Sequence, residues 1–478
     1  MMFRSRIIFC LCVGLSLQAC AVGPNYHPPV SKALGVPDSY SSPAMPGVPE
    51  DATHWWTRFN DPQLSAIIDL ALKENLDIAQ AVARLRQARE ALVQSNAGLF
   101  PTVRASTNYS RNINIQGRSF GNVTDAGITN ENYAIGTDAS YQVDLFGGIR
   151  RGIEAGRANQ ASSAFSVAQI QSSIASEVAR NYIIARAAQA NLAIARGSLA
   201  LQDDNLEIIG FRMQAGLVSS LDTEQTRSQR AQTATQVPSL EQSFQQAANR
   251  LGVLTGQAPG ALKTELAATK PIPRGPDAVP LGIPADIIRL RPDVLVAERN
   301  LAAASAQIGV AQAQLYPALN LTTSITTNAG MVERLTDIIT GRIFANLAQT
   351  IFDAGRNRSI VRARRAAADG AFSAYKLSVL SALEDVENAL TALRTATARE
   401  LEFNIALDAS SNAALLARSQ YRAGLTDITT LNNSETALFT AQNGLSNVLA
   451  DRAQALVQLY LALGGGWDTS SPPVPPKR

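Results

Sequence analysis

The sequence predicts a mainly α-helical protein that also carries four membrane-type β-strands, with both kinds of element laid out twice along the chain. Short motifs recur in the same order at a shift of roughly 210 residues, which marks an internal duplication. Apolar residues step by three or four along two very long runs, the mark of coiled-coil helices. Four stretches of about ten residues alternate side chain by side chain, the length and pattern of tilted strands that cross a bilayer.

The duplication rests on four landmarks. Leu99-Phe100-Pro101-Thr102-Val103 returns as Leu315-Tyr316-Pro317-Ala318-Leu319. Leu145-Phe146-Gly147-Gly148-Ile149-Arg150 returns loosely as Ile351-Phe352-Asp353-Ala354-Gly355-Arg356. Ala215-Gly216-Leu217 returns as Ala423-Gly424-Leu425, and Leu254-Thr255-Gly256 as Leu463-Gly464-Gly465. Each match alone is weak, but four in register make chance a poor explanation.

Each repeat opens with a helix, from Asp61-Pro62 to Gly98 and from Ala285 to Gln314. A proline at 101 or 317 stops it. Two strands follow. In the first repeat Val103, Ala105, Thr107 and Tyr109 share one face, as do Tyr133, Ile135, Thr137, Ala139, Tyr141, Val143 and Leu145. In the second, Leu319, Leu321, Thr323 and Ile325 do so, and likewise Ile343, Ala345, Leu347 and Ile351. The intervening positions are small or polar. The Gly- and Asn-rich links from Asn112 to Asn130 and from Asn328 to Thr340 read as exposed loops.

A very long helix comes next. Its stripe runs through Val167, Ile170, Ile174, Val178, Tyr182, Ala185, Ala188, Leu192, Ala195 and Leu199. The second copy runs through Val379, Leu383, Val386, Leu390, Leu393, Thr397 and Leu401. From Ala155 to Met213 is roughly 60 residues, or ~90 Å. Gly216 and Gly424 break these helices, and the chain returns through Asp222 to Leu254 and Thr429 to Leu463. Gly210 and Pro238 are expected to soften or kink them. The apolar stripes read as packing surfaces, and Gln, Ser and Asn beside them suit a polar lining.

The start of the chain reads as a secretory signal: Arg4 and Arg6, then an apolar run from Ile7 to Leu17. Leu17-Gln18-Ala19-Cys20 resembles a bacterial lipobox, in which the cysteine is acylated and becomes the new N-terminus. Such a set of acyl chains suffices for stable anchoring. Ala21 in place of Asp favours, by the same resemblance, the outer membrane. Cys10 and Cys12 lie in the discarded segment, so no disulfide framework or thiolate metal site is expected. The expected divisions are a signal peptide (1–19), a lipid anchor with an extended segment (20–60), repeat one (61–258), a Pro-rich linker (259–284), repeat two (285–464) and a tail (465–478).

No later stretch offers the ~20 apolar residues of a membrane helix. Any crossing must therefore use strands, and four strands cannot close a barrel. An open edge in lipid leaves backbone groups unpaired, so copies of the chain must pool strands. Two copies give eight and three give twelve; the residues alone do not choose. The long helices exceed a bilayer core of ~30 Å and must enter an aqueous compartment.

At this point a family resemblance is legible. Trp55-Trp56-Thr57-Arg58-Phe59-Asn60-Asp61-Pro62-Gln63-Leu64 and Val22-Gly23-Pro24-Asn25-Tyr26 resemble N-terminal signatures of TolC-like outer-membrane efflux proteins. Pro280-Leu281-Gly282-Ile283-Pro284, Arg291-Pro292-Asp293-Val294 and Ala297-Glu298-Arg299-Asn300-Leu301 resemble the central fingerprint of the lipid-anchored OprM/NodT branch. Leu463-Gly464-Gly465-Gly466-Trp467 fits as well. The resemblance implies a homotrimer with a twelve-stranded β-barrel on a twelve-helix α-barrel. It also implies a periplasmic adaptor and an inner-membrane pump as partners, and a passive exit duct for drugs or other small molecules.

Catalytic readings fare poorly. Gly117-Arg118-Ser119-Phe120-Gly121 fits a G-x-S-x-G pattern but sits in a predicted loop, and the only histidines are His27 and His54. No metal site or cofactor is expected apart from the lipid on Cys20. A net charge of +3 gives no field for nucleic acid. The candidate gate is the pair of helical turns. In a trimer Asp222, Glu224 and Asp427 would ring the mouth with negative charge, as in cation-selective rings. Arg212 and Arg422 could tether helices by ion pairs. The other reading of these carboxylates is local helix capping. In the TolC-like family gate acids lie on the second returning helix, where this chain has Thr430 and Asn433; Asp222 holds the equivalent place of repeat one. A lipid-anchored periplasmic adaptor and a structural coiled coil are the rival classes. Purified protein in a planar bilayer separates them: a duct gives trimer-sized conductance, whereas a silent bilayer favours a rival.

Overall fold

A computed structural model describes residues 21–41, 45–46, 52–113, 129–277, 279–281, 284 and 290–468. Its principal elements are α1 (Pro62–Glu74), α2 (Leu76–Ala97), β1 (Thr102–Ile113), β2 (Thr129–Val143), α3 (Gly148–Gln214) and α4 (Ser220–Leu254). They continue with α5 (Pro292–Ala313), β3 (Ala318–Ala329), β4 (Ile339–Ala348), α6 (Arg356–Arg422) and α7 (Ile428–Ala462). The halves match in length: 22 residues in α2 and α5, 67 in α3 and α6, 35 in α4 and α7. Among the described residues no helix is long and apolar enough to cross a membrane.

Several expectations need correction. The opening helix of repeat one is two helices, because Asn75 is extended (φ −65°, ψ 132°). Its Oδ1 accepts from Asp77 N at 2.8 Å and Ile78 N at 3.1 Å, while Nδ2 donates to Leu254 O at 2.8 Å. A side chain that caps a new helix competes with continuing the old one. The opening helix of repeat two begins at Pro292; residues 285–289 lie outside the described residues. The helices α3 and α4 run unbroken through Gly210 and Pro238. Also outside the described residues are Cys20, the signal segment, the Gly117–Gly121 match and the tail from Thr469.

The strands form one antiparallel sheet in the order β1-β2-β3-β4. Register preserves the sequence alternation across all four. Thr107 faces Ile135, Ile135 faces Thr327, and Thr327 faces Ile339; three steps along, Arg104 faces Asp138 and Asp138 faces Ser324. Odd-numbered positions thus make one largely apolar face and even-numbered ones a polar face. From Tyr133 to Val143 the strand rises ~33 Å, which at a usual barrel tilt spans ~25 Å of membrane normal. A tilted Tyr109–Tyr133 pair at 4.9 Å lies toward one end, and Phe146 stacks on Tyr316 at 4.7 Å by the other.

The chain forms two compact units, each drawing on both halves of the sequence. The first comprises Met1–Pro28, Arg86–Ser162 and Glu298–Ala374 and holds the sheet. Here Val22 N donates to Phe146 O at 3.0 Å, and buried Arg151 donates to Val22 O at 3.1 Å and Asn25 Oδ1 at 2.7 Å. Tyr26 Oη donates to Glu298 Oε1 at 2.7 Å.

The second unit comprises Pro29–Leu85, Ser163–Ala297 and Tyr375–Arg478. Trp55, Trp56, Phe59, Ile68, Tyr182 and Tyr460 are buried together, with Trp55 stacked on Tyr460 at 5.6 Å. Asp61 caps α1 and accepts from Tyr182 Oη at 2.8 Å; burial pushes that phenol up to about 12. Arg291 pairs with Asp293 at 2.7 Å and Asp385 at 2.9 Å and donates to Ala462 O at 3.2 Å. The sequence signatures are therefore clamps between distant segments. Of the predicted α3 stripe, Val167, Ile174, Val178, Tyr182, Ala185, Ala188 and Ala195 are buried. On α6, Leu401, Ile405, Leu415 and Leu416 stand 58–65% exposed on this single chain.

Candidate functional site

Two chain reversals join the long helices to the returning ones, α3 to α4 and α6 to α7. They close in the same way. Gly216 N donates to Met213 O at 2.9 Å and Leu217 N to Arg212 O at 2.8 Å. Gly424 N donates to Tyr421 O at 3.1 Å and Leu425 N to Gln420 O at 2.9 Å. This is the Schellman pattern, and φ values of 74° and 73° restrict the two positions to glycine.

The returning helices start four residues after these glycines, with different caps. Ser219 Oγ accepts from Asp222 N at 3.2 Å, and Asp222 Oδ2 accepts from Ser219 N at 3.0 Å, a capping box. In α7 the cap is Asp427, whose Oδ1 accepts from Thr430 N at 2.7 Å. Hydrogen bonds from Thr430 hold the Asp427 carboxyl below the usual carboxylate range. A lowered folded value means the cap is intact above the unfolded pKa and is lost as pH falls through the folded one. Asp222 and Thr430 both sit at the third helical position, in equivalent places of the two repeats.

Beneath the turns Ile209, Ala417, Tyr421, Ile428 and Leu431 form a buried cluster. Arg212 lies over the Tyr421 ring at 4.2 Å and donates to Tyr421 O at 2.9 Å. It thus links the two turns through a ring and a carbonyl, where the sequence suggested an ion pair. Burial pushes the Tyr421 hydroxyl up, Arg212 opposes this, and Asp222 adds to the rise. Arg422 is exposed in the last turn of α6, and Glu224 reaches Arg227 at 3.8 Å.

The strongest polar node was missed in the sequence. Glu435, 7% exposed, accepts from Arg418 Nη2 at 2.9 Å and from Asn205 Nδ2 at 2.8 Å. Nearby, Asn432 Nδ2 donates to Thr226 Oγ1 at 2.9 Å and Gln202 Nε2 to Thr233 Oγ1 at 3.1 Å. These bonds tie α3, α4, α6 and α7 together. The signal was present: Ile428, Leu431, Glu435 and Phe439 form one buried stripe, and Glu435 is its only charged member. Truncating one partner of a buried pair strands the other. Glu435→Ala should cost about 2–3 kcal/mol, less than for a fully buried pair because Arg418 still reaches water. Amide exchange across residues 415–440 should accelerate; unchanged protection would remove Glu435 from its bridging role.

The comparisons with known proteins bear on this architecture directly. A family model described as outer membrane efflux protein matches residues 67–257 and 283–465. The pyoverdine export outer membrane protein OpmQ of Pseudomonas putida is 30% identical over 472 residues, covering 98% of this chain and 99% of that one. The probable outer membrane lipoprotein SilC of Salmonella typhimurium is 26% identical, covering 98% of this chain and all of its own. The solved outer-membrane channel OprN superposes with a TM-score of 0.84 at 31% identity, over 94% of this chain and 100% of that one. With the family model spanning both repeats, the chain belongs to the outer membrane efflux protein family and is an outer-membrane efflux channel component.

Proposed function

We infer that three copies of this chain assemble into one duct, through which an inner-membrane pump and a periplasmic adaptor pass small molecules to the outside. The observation that carries this reading is the four-stranded sheet with an apolar and a polar face and, among the described residues, no strand on the far side of β1 or β4. Three such sheets make a closed twelve-stranded cylinder, within the range that barrels occupy. Exposed Leu401, Ile405, Leu415 and Leu416 on α6 supply apolar surface for neighbouring helices. The division into repeats at 61–258 and 285–464 belongs to the same reading and is supported by the equal helix lengths. Pyoverdine export by OpmQ supports a small-molecule cargo. In this reading the chain works as a passive duct, with a covalent lipid as its one attached group.

That lipid sits on Cys20. The lipobox resemblance supports it, as does the lipoprotein SilC. So does the placement of the next residue: a Cβ on Gly147 would come within 2.6 Å of Ala21 Cα, so the chain just past Cys20 lies against the junction of β2 and α3. Mass spectrometry of the purified N-terminal peptide should find Cys20 first and fatty-acylated. An unmodified N-terminus elsewhere removes the anchor.

The gate is the pair of turns. Asp222, Glu224 and Asp427 would ring the mouth, with Arg212 and Arg422 beside them. Two observations support it: Arg212 of the first turn packs on Tyr421 of the second, and the Asp222 charge is felt at Tyr421. Aspartates that cap helices are also well placed to set the position of the turns. Asp222→Ala with Asp427→Ala should raise leak or change cation preference in a planar bilayer. Conductance identical to the parent discards the gate.

A further inference from the structure

The start of α6 carries a charge pattern that neither the duct nor the gate uses. Arg356, Arg358, Arg362, Arg364 and Arg365 fall within residues 354–368, a stretch with no acidic residue. All five are exposed. Among the described residues Arg358, Arg362, Arg364 and Arg365 form no ion pair. Two acids flank the stretch: Asp369, one turn beyond Arg365, and Asp353, which is engaged in capping, its carboxylate accepting from Gly355 N at 2.9 Å and Asn357 N at 2.9 Å. The corresponding place in repeat one differs. There Arg150 pairs with Asp144 at 3.2 Å, and Arg151 pairs with Glu154 at 2.7 Å while binding Val22 O. The first repeat engages these two arginines within the chain, and the second presents its cluster.

Their spacing makes a surface. Arg358, Arg362 and Arg365 are four and three residues apart and share one helix face, over about 10 Å of axis. The start of this helix follows lipid-type surface directly in the chain. On β4, Ile339, Ile343 and Leu347 mark the apolar side, with Ile343 86% exposed. Ile351 and Phe352 follow at 89% and 87% exposure, four residues before α6 begins at Arg356. A headgroup zone is roughly 5–8 Å deep beyond the hydrocarbon, and long cationic side chains reach into it from outside. Clustered arginines beside a membrane-crossing element bind anionic headgroups, and guanidinium pairs with phosphate through two parallel bonds.

We propose that Arg358, Arg362 and Arg365 form a docking stripe for anionic phospholipid headgroups in the leaflet of the outer membrane that faces the helices. The stripe collects phosphodiester lipid around the foot of the sheet. It lies on residues apart from the turns, so gating stands or falls separately.

Spin-labelled phosphatidylglycerol and phosphatidylcholine in vesicles containing the full-length protein provide the test. Electron spin resonance reads the lipid fraction held at the protein surface. The parent should prefer phosphatidylglycerol by about threefold at low salt. Arg358→Gln, Arg362→Gln and Arg365→Gln together should bring the preference to parity while single-channel conductance keeps its size. An unchanged preference in that variant overturns the proposal. So does a variant that keeps the lipid preference and loses anion selectivity in conductance, which would turn the stripe toward the pore. If the triple variant fails to insert, salt titration of the parent decides. The preference must fall between about 0.05 and 0.5 M salt, where screening shortens to a few ångströms; a salt-independent preference, or none, overturns the stripe.

Discussion

Backbone hydrogen bonding at the sheet edges governs this molecule. The inner pairs, β1 with β2, β2 with β3 and β3 with β4, satisfy one another along their whole registered lengths. Among the described residues nothing pairs with the outer sides of β1 and β4. Water would satisfy them in a soluble protein, but hydrocarbon cannot. Self-association is therefore a condition for placing this sheet in a bilayer, and the exposed leucines of α6 extend the same demand to the helices. Once copies must meet, any residue near a chain reversal is multiplied around an axis. Under the proposed gate, that multiplication is what would let three modest carboxylates act as a ring.

Much of this was legible in the residues. Strand faces followed from period-two alternation, and the register kept each face intact because a one-residue slip would invert it. Helix ends at Gly216 and Gly424 followed from glycine's freedom at positive φ. The misses share a cause. Asn75 looked like one polar residue in a helical pattern, and only its contact with Leu254 O, 179 residues away, fixes it as a break. Glu435 is a single charge on the returning helix in sequence, and only Asn205 and Arg418 from other helices reveal it as a buried bridge. The compact units were also invisible in sequence, because they are assembled from interleaved segments of both repeats. Pattern gives elements; long-range partners give their roles.

The two turns show how a duplicated backbone acquires different chemistry. Both end a 67-residue helix with the same glycine lock and both begin a 35-residue helix four residues past that glycine. The first supports its helix with a serine and an aspartate one turn in, the second with an aspartate at the very end. Capping alone accounts for both carboxylates, so any further role in gating is layered on a structural one. The Glu435 bridge has the opposite character. It buries charge that a leucine would replace at lower desolvation cost, and it ties the first repeat to the second at a fixed spacing.

The stitching of the N-terminal segment has a consequence for biogenesis. Tyr26 finds Glu298 across 272 positions of chain, and Arg151 reaches back 129 to Val22. Contacts so distant in sequence form late, since the intervening polymer must first be delivered and ordered. The front end emerges from secretion long before its seat exists. Whatever holds it in the meantime, the knot that fixes it to the rest of the protein is among the last to be tied.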